Sequence, residues 1–244
     1  MSGLAVDDAA WASAWRLHSP ADKLLLSVGL VLCALLLPVW PGSVLVGLTA
    51  VVLALGPARV PARTFGRAVR VPLAFIALGA LTTVVEVGSG GFGWAPDAAA
   101  RAGGLVGHAV AGSAAVLLLA TTTPMSDLLP ALARLRVPAA VIEVASVTYR
   151  MLFVLLTSLS TIREAQTARM GHAGVRASYR SSGMLAAAVL TRSWDRARRL
   201  QDGLAGRGME TGLRVLPEAL PSSGRFVAGT VAGLAALAAS SVLA

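Results

Sequence analysis

Long uncharged stretches alternate with arginine-rich ones along this chain, and that alternation organises everything else. Residues 24–56 carry no charge, more than the roughly 20 residues one upright membrane helix needs. Pro38-Val39-Trp40-Pro41-Gly42 breaks the run and predicts a helical hairpin over 24–39 and 42–56, with Trp40 at an interface. Further apolar segments predict spans over 72–87, 104–123 and 226–244. Arg59, Arg63, Arg67 and Arg70 fill the loop before the third span, without an acid. By the positive-inside rule that loop is cytoplasmic and the glycine-rich segment 88–94 external.

Residues 139–162 are apolar enough to span, but Glu143 and Arg150 sit mid-segment, and a charge at the bilayer centre costs about 2.5–3.5 kcal/mol. Crossing there would also export residues 163–214, which hold ten arginines against four acids. Glu143, Arg150, Thr157 and Glu164 recur every seventh residue on one helical face. The segment is therefore expected to pack as a long helix beneath the membrane spans, with a true span over 139–162 as the main rival. A second helix is expected between Ser182 and Gly208, with an apolar stripe of Ala186, Val189, Leu190, Ser193, Ala197, Leu200 and Leu204. Its opposite side is expected to carry Arg192, Asp195, Arg196, Arg199 and Asp202. The small stripe residues would let another helix approach closely.

The expected fold is an all-α membrane protein of about five transmembrane helices plus a cytoplasmic or interfacial region of long crossing helices. It divides into 1–123 with four spans, coupling helices over 124–214, and a C-terminal span over 215–244. The N-terminus lies on the cytoplasmic side of the cell membrane.

Composition agrees: of 244 residues, 56% are hydrophobic and 14% charged, against about 45–50% and 25% in soluble domains. The net charge of +9 suits cytoplasmic loops and contact with bilayer lipid. Nucleic-acid binding is not expected, because only Tyr179 and Trp194 interrupt the basic stretch.

The chemistry of the chain is sparse. A P-loop needs Gly-Lys-[Ser/Thr], yet the one lysine, Lys23, precedes Leu24. ATP hydrolysis therefore belongs to another chain, if ATP is used. Cys33 stands alone, and His18, His108 and His172 have no second ligand at metal spacing. Glu86 reads as an interfacial carboxylate. The chain is read as a non-enzyme without a cofactor.

The most specific local signal is a repeated arginine at a predicted helix end. Arg169 lies in Ala168-Arg169-Met170-Gly171 and Arg207 in Gly206-Arg207-Gly208. Glycine is the usual residue just past a helix C-terminus, and arginine presents a permanent charge on a rigid donor fork. Two such ends suggest two plugs for a pair of similar acidic sockets.

These residues carry a resemblance. The stretch from Thr191 to Met209, Tyr149–Leu156, Arg163–Arg169 and Ser19–Leu25 resemble the transmembrane T subunits of energy-coupling-factor importers, with the cobalt branch, the CbiQ family, nearest. That family carries two Ala-Arg-Gly motifs. Here they stand as Ala168-Arg169-Met170 and Gly206-Arg207-Gly208, each altered at one neighbour of the arginine. Gly171 is expected to relieve the change at Met170 by one position.

The resemblance implies a coupling subunit that joins two cytoplasmic ABC-type ATPases to a separate membrane S subunit. Arg169 and Arg207, with Ala168, Met170, Gly171, Gly206 and Gly208, would form the ATPase-docking ends. The branch implies cobalt as cargo and a link to cobalamin biosynthesis. A vitamin importer's T subunit, for biotin for example, and an autonomous channel or secondary transporter remain the alternatives.

Overall fold

A computed structural model describes residues 5–88, 91–94, 98–134, 137–208 and 222–243. The described chain forms two compact units, residues 2–131 with 218–244, and residues 132–217. The expected boundary at 214/215 lies outside the described residues, as do Met209, Ser89 and Gly90.

The first unit is a helical bundle. It contains α1 (Ala5–Ala12), a 3-10 turn (Ala14–Leu17), α2 (Pro20–Leu36), α3 (Val44–Leu55), α4 (Ala62–Val84), α5 (Ala98–Thr122), α6 (Met125–Arg134, at its edge) and α9 (Gly224–Leu243). Pro20 sits in the first turn of α2, where its missing N–H costs nothing, so this helix begins before the uncharged run. The chain then turns through Val39–Ser43, as the two prolines required, and Trp40 is exposed.

α4 departs from expectation. It begins at Ala62, and Arg63, Arg67 and Arg70 belong to its first turns. Arginine is a good helix former, and Pro61 just before the helix accepts its first backbone bonds from Thr64 and Phe65. The basic residues therefore extend the helix instead of forming a loop. The glycine-rich segment also carries more structure than a loop. Val85–Gly88 (β1) pairs antiparallel with Gly91–Trp94 (β2), Val85 opposite Trp94.

α5 is the centre of the bundle, packed against α2, α3 and α4. Small residues permit the approach: a Cβ on Gly47 would lie 3.5 Å from the Ala111 backbone, as membrane helix interfaces favour. Leu26, Leu30, Ala34, Val46, Ala50, Ala115 and Leu118 form the buried core. Ser27 Oγ donates to the Ala115 carbonyl at 2.8 Å and His108 Nδ1 to that of Ala34 at 2.6 Å.

The second unit consists mainly of α7 (Ala139–Ala168) and α8 (Val175–Ala205). Helices Ala62–Val84, Ala98–Thr122, Ala139–Ala168 and Gly224–Ser241 are long and apolar enough to cross a membrane, and Val39–Leu55 is a shorter apolar helix. The protein is an all-α membrane protein with one small β-hairpin. α7 qualifies by length and composition despite Glu143 and Arg150.

Candidate coupling site

Arg169 and Arg207 occupy the same kind of backbone turn. α7 ends at Ala168, and Arg169 is its C-cap at φ −95°, ψ 19°. The Arg169 N–H donates to Gln166 O at 3.2 Å, that of Met170 to Thr167 O at 3.0 Å, and that of Gly171 to Gln166 O at 2.8 Å. Met170 has φ +59°. This is a Schellman termination: the residue after the cap is left-handed, and two orphan carbonyls are satisfied.

The second end shares the shorter bond and the left-handed residue of that turn. Gly206 continues the helical conformation at φ −63°, ψ −16°. The Arg207 N–H then donates to Leu204 O at 3.1 Å and that of Gly208 to Ala205 O at 3.0 Å, with Gly208 at φ +68°. Each arginine thus immediately precedes a residue of positive φ.

The left-handed position is 170, and Gly171 does not take it over. Methionine there bears a left-handed cost of about 1–2 kcal/mol. Met170→Gly should raise stability by up to about 1 kcal/mol, because glycine's larger unfolded-state entropy offsets part of the relief. Slower amide exchange at Gly171, whose N–H closes the turn, would show it; unchanged exchange would mean the strain is relieved elsewhere.

Gly171 is needed for space. A Cβ there would lie 2.8 Å from both Gln166 O and Ser181 Oγ. Ser181 is buried, and its Oγ donates to Gly171 O at 2.8 Å, while Gln166 Nε2 donates to Ser181 O at 3.0 Å. Gly171→Val should therefore open the turn and cost about 1–3 kcal/mol as an overpacked site. It should be read as faster amide exchange at Gly171 and across the first turns of α8; unaltered exchange would refute the close fit.

Those contacts also fix the direction of the two helices. Gln166 meets Ser181, and Met151 Sδ meets Arg196 Nε at 3.3 Å. Fifteen residues back on α7 (166 − 151) match fifteen forward on α8 (196 − 181), so the helices form an antiparallel hairpin. Arg169 lies at its turn and Arg207 at its far end, roughly 40 Å away at 1.5 Å per residue.

Ser193, Ala197 and Leu200 of the expected stripe share a groove with Val147, Met151, Leu152 and Leu155 of α7, about 270 Å³ in volume. Leu190 does not join them and is 69% exposed. Arg196, expected on the opposite side, faces α7 through Met151.

Both arginines are exposed, and neither guanidinium makes a hydrogen bond or ion pair with another described residue. Arg150, Thr157 and Glu164, which share a face of α7, are exposed as well. In the ten residues that follow Arg169, Met170, Val175 and Tyr179 are exposed at 73%, 91% and 84%. Exposed arginine and tyrosine are residue types enriched in binding hot spots. Val175 and Tyr179 were not singled out from the sequence, although apolar side chains inside a basic stretch were the available signal.

The chain's relatives add what the geometry alone does not. The model of the family "CbiQ: Cobalt transport protein" matches residues 12–216. The chain belongs to the CbiQ family. Similar proteins include the cobalt transport protein CbiQ of Rhodobacter capsulatus, 40% identical over the full length of both chains. The CbiQ of Salmonella typhimurium is 28% identical over 79% of this chain and 90% of its own. A putative fused cobalt transport protein CbiMQ of Methanocorpusculum labreanum is 26% identical over 87% of this chain and 37% of its own length. This CbiQ-family chain is thus a membrane component of a cobalt transporter and a T subunit of the energy-coupling-factor class. Among the described residues no three histidine, cysteine or carboxylate side chains converge as a metal site.

Proposed function

We propose that this chain is the coupling subunit of an ATP-driven cobalt importer. One ATPase subunit docks on the Arg169 end of the α7–α8 hairpin and a second on the Arg207 end. Closure of the two on ATP shifts the hairpin ends, and the bundle passes that motion to an S subunit that carries the cobalt ion. The cargo's ligands are then assigned to that partner.

The observation that carries this reading is the repetition of one backbone turn. It presents an unpartnered, exposed arginine at each end of an antiparallel hairpin. Ends so far apart suit two sockets better than one. An arginine desolvated against a carboxylate makes a charge-assisted bond stronger than a neutral one. The fused CbiMQ relative supports a second transporter component working beside this one. In this reading the hairpin and the N-terminus face the cytoplasm.

Radiolabelled cobalt uptake into proteoliposomes tests it. Uptake should require this chain, the S subunit, both ATPase positions and internal ATP together. Uptake by this chain alone, driven by a gradient, would overturn the reading and return the autonomous transporter.

A further inference from the structure

The bundle contains a groove that no role above uses. It lies between α2, α3 and α9, has a volume of about 280 Å³, and is walled by Leu30, Leu53, Gly229, Gly233 and Leu237 with Arg225 at one end. We propose that this groove holds one acyl chain of an anionic phospholipid whose phosphate pairs with Arg225.

The groove has the dimensions of a chain and not of a helix. From Arg225 to Leu237 along α9 is about 18 Å at 1.5 Å per residue. Half of a hydrocarbon core about 30 Å thick is about 15 Å, so the slot runs the depth of one leaflet. A transmembrane helix with side chains is about 10 Å across, too wide for this volume over that length.

Glycine makes the slot. A Cβ added at Gly229 or Gly233 would meet nothing within 4 Å, so bare α9 backbone forms the open wall. The edge beside it is closed, because Gly29 of α2 lies directly against the Leu234 side chain.

The charge is at the headgroup level. Arg225 is exposed, and its guanidinium bonds to no other described residue. Phe226 next to it stacks edge-on with Trp15 at 5.3 Å and lies 5.2 Å from His18. Such aromatic clusters mark the membrane–water interface. Asp22 already accepts the Ser223 N–H at 3.0 Å ahead of α9, so the Arg225 guanidinium is left as the anion's contact. Bilayer leaflets rich in anionic lipid attract such a residue.

The test is native mass spectrometry of the purified full-length chain in detergent, offered equal dioleoyl phosphatidylglycerol and dioleoyl phosphatidylcholine. The wild type should retain one phosphatidylglycerol about tenfold over phosphatidylcholine. Arg225→Gln should bring that ratio near one. Gly233→Leu should lose both lipids while its thermal transition persists. Gly229→Ala, which gains helix propensity and cannot threaten the fold, should give a graded loss. Equal retention of the two lipids by the wild type, or wild-type retention by Gly233→Leu, would overturn the proposal. So would a dimer that Gly233→Leu dissolves, since the groove would then be a helix–helix face.

Discussion

Arg169→Glu and Arg207→Glu should each weaken capture of one ATPase subunit by about thirtyfold or more, and together should abolish it. Removing one partner from a buried, hydrogen-bonded charge pair costs about 2–5 kcal/mol, and each 1.4 kcal/mol is tenfold in affinity. Charge reversal adds repulsion from the acidic socket. The arginines stand at opposite ends of the hairpin, outside coupling range for direct contacts, so the single variants should each lose a different partner. A lysine at either position should recover part of the binding. It restores the charge but not the planar fork.

The measurement is affinity capture from gently solubilised membranes, with ATPase subunits quantified against this chain. Neither guanidinium bonds within the described fold, so both variants should be folded, and an unchanged thermal transition checks that. Undiminished ATPase capture by the folded double variant would remove both residues from the docking role.

The arginine ends were legible in the sequence because helix termination is written locally. An apolar period stops, an arginine follows, and glycine stands nearby. What was not legible is which residue turns left-handed. Residue type favours Gly171, yet the Schellman bonds place Met170 there, because the register of the last helical turn decides it. The α8 stripe was half right for a similar reason. Ser193, Ala197 and Leu200 meet α7, while Leu190 lies off the line of contact of an antiparallel partner. The start of α4 was misplaced because charge was read as loop, although three arginines can lie along the solvated end of a helix.

The groove beside α9 could not be read at all. Its walls come from α2, α3 and α9, and only the bundle brings them together. The same holds for the segment Ser19–Leu25, which the sequence tied to the family without a role. Its role is visible in partners far along the chain. Asp22 accepts Ser222 Oγ at 2.9 Å and the Ser223 N–H at 3.0 Å, just before α9. Lys23 Nζ donates to Trp15 O at 3.2 Å and to Thr122 O, at the end of α5, at 3.1 Å. Two adjacent residues thus hold the start of one helix and the end of another.

Lys23→Met should accordingly lower the stability of the bundle by about 1–3 kcal/mol. Methionine keeps the length and the helix propensity, so the change isolates the ammonium. Lys23 is 2% exposed, and its loss strands the Thr122 carbonyl, worth about 1–3 kcal/mol when buried without a donor, while Trp15 O keeps the His18 N–H at 3.0 Å. Part of that cost is recovered because a buried charge no longer needs desolvating. Burial pulls the Lys23 pKa down to about 8, while the Asp127 carboxylate acts in the opposite direction. Between about pH 8 and the ordinary lysine value of 10.5 the unfolded chain then holds a proton that the folded chain has released. Stability contributed by this group rises with pH across that window. The wild type's advantage over Lys23→Met, measured by thermal unfolding in detergent, should therefore be wider at pH 9.5 than at pH 7.5. An advantage that shrinks with rising pH would mean the ammonium's charge, and not its donated bonds, holds α5 in place.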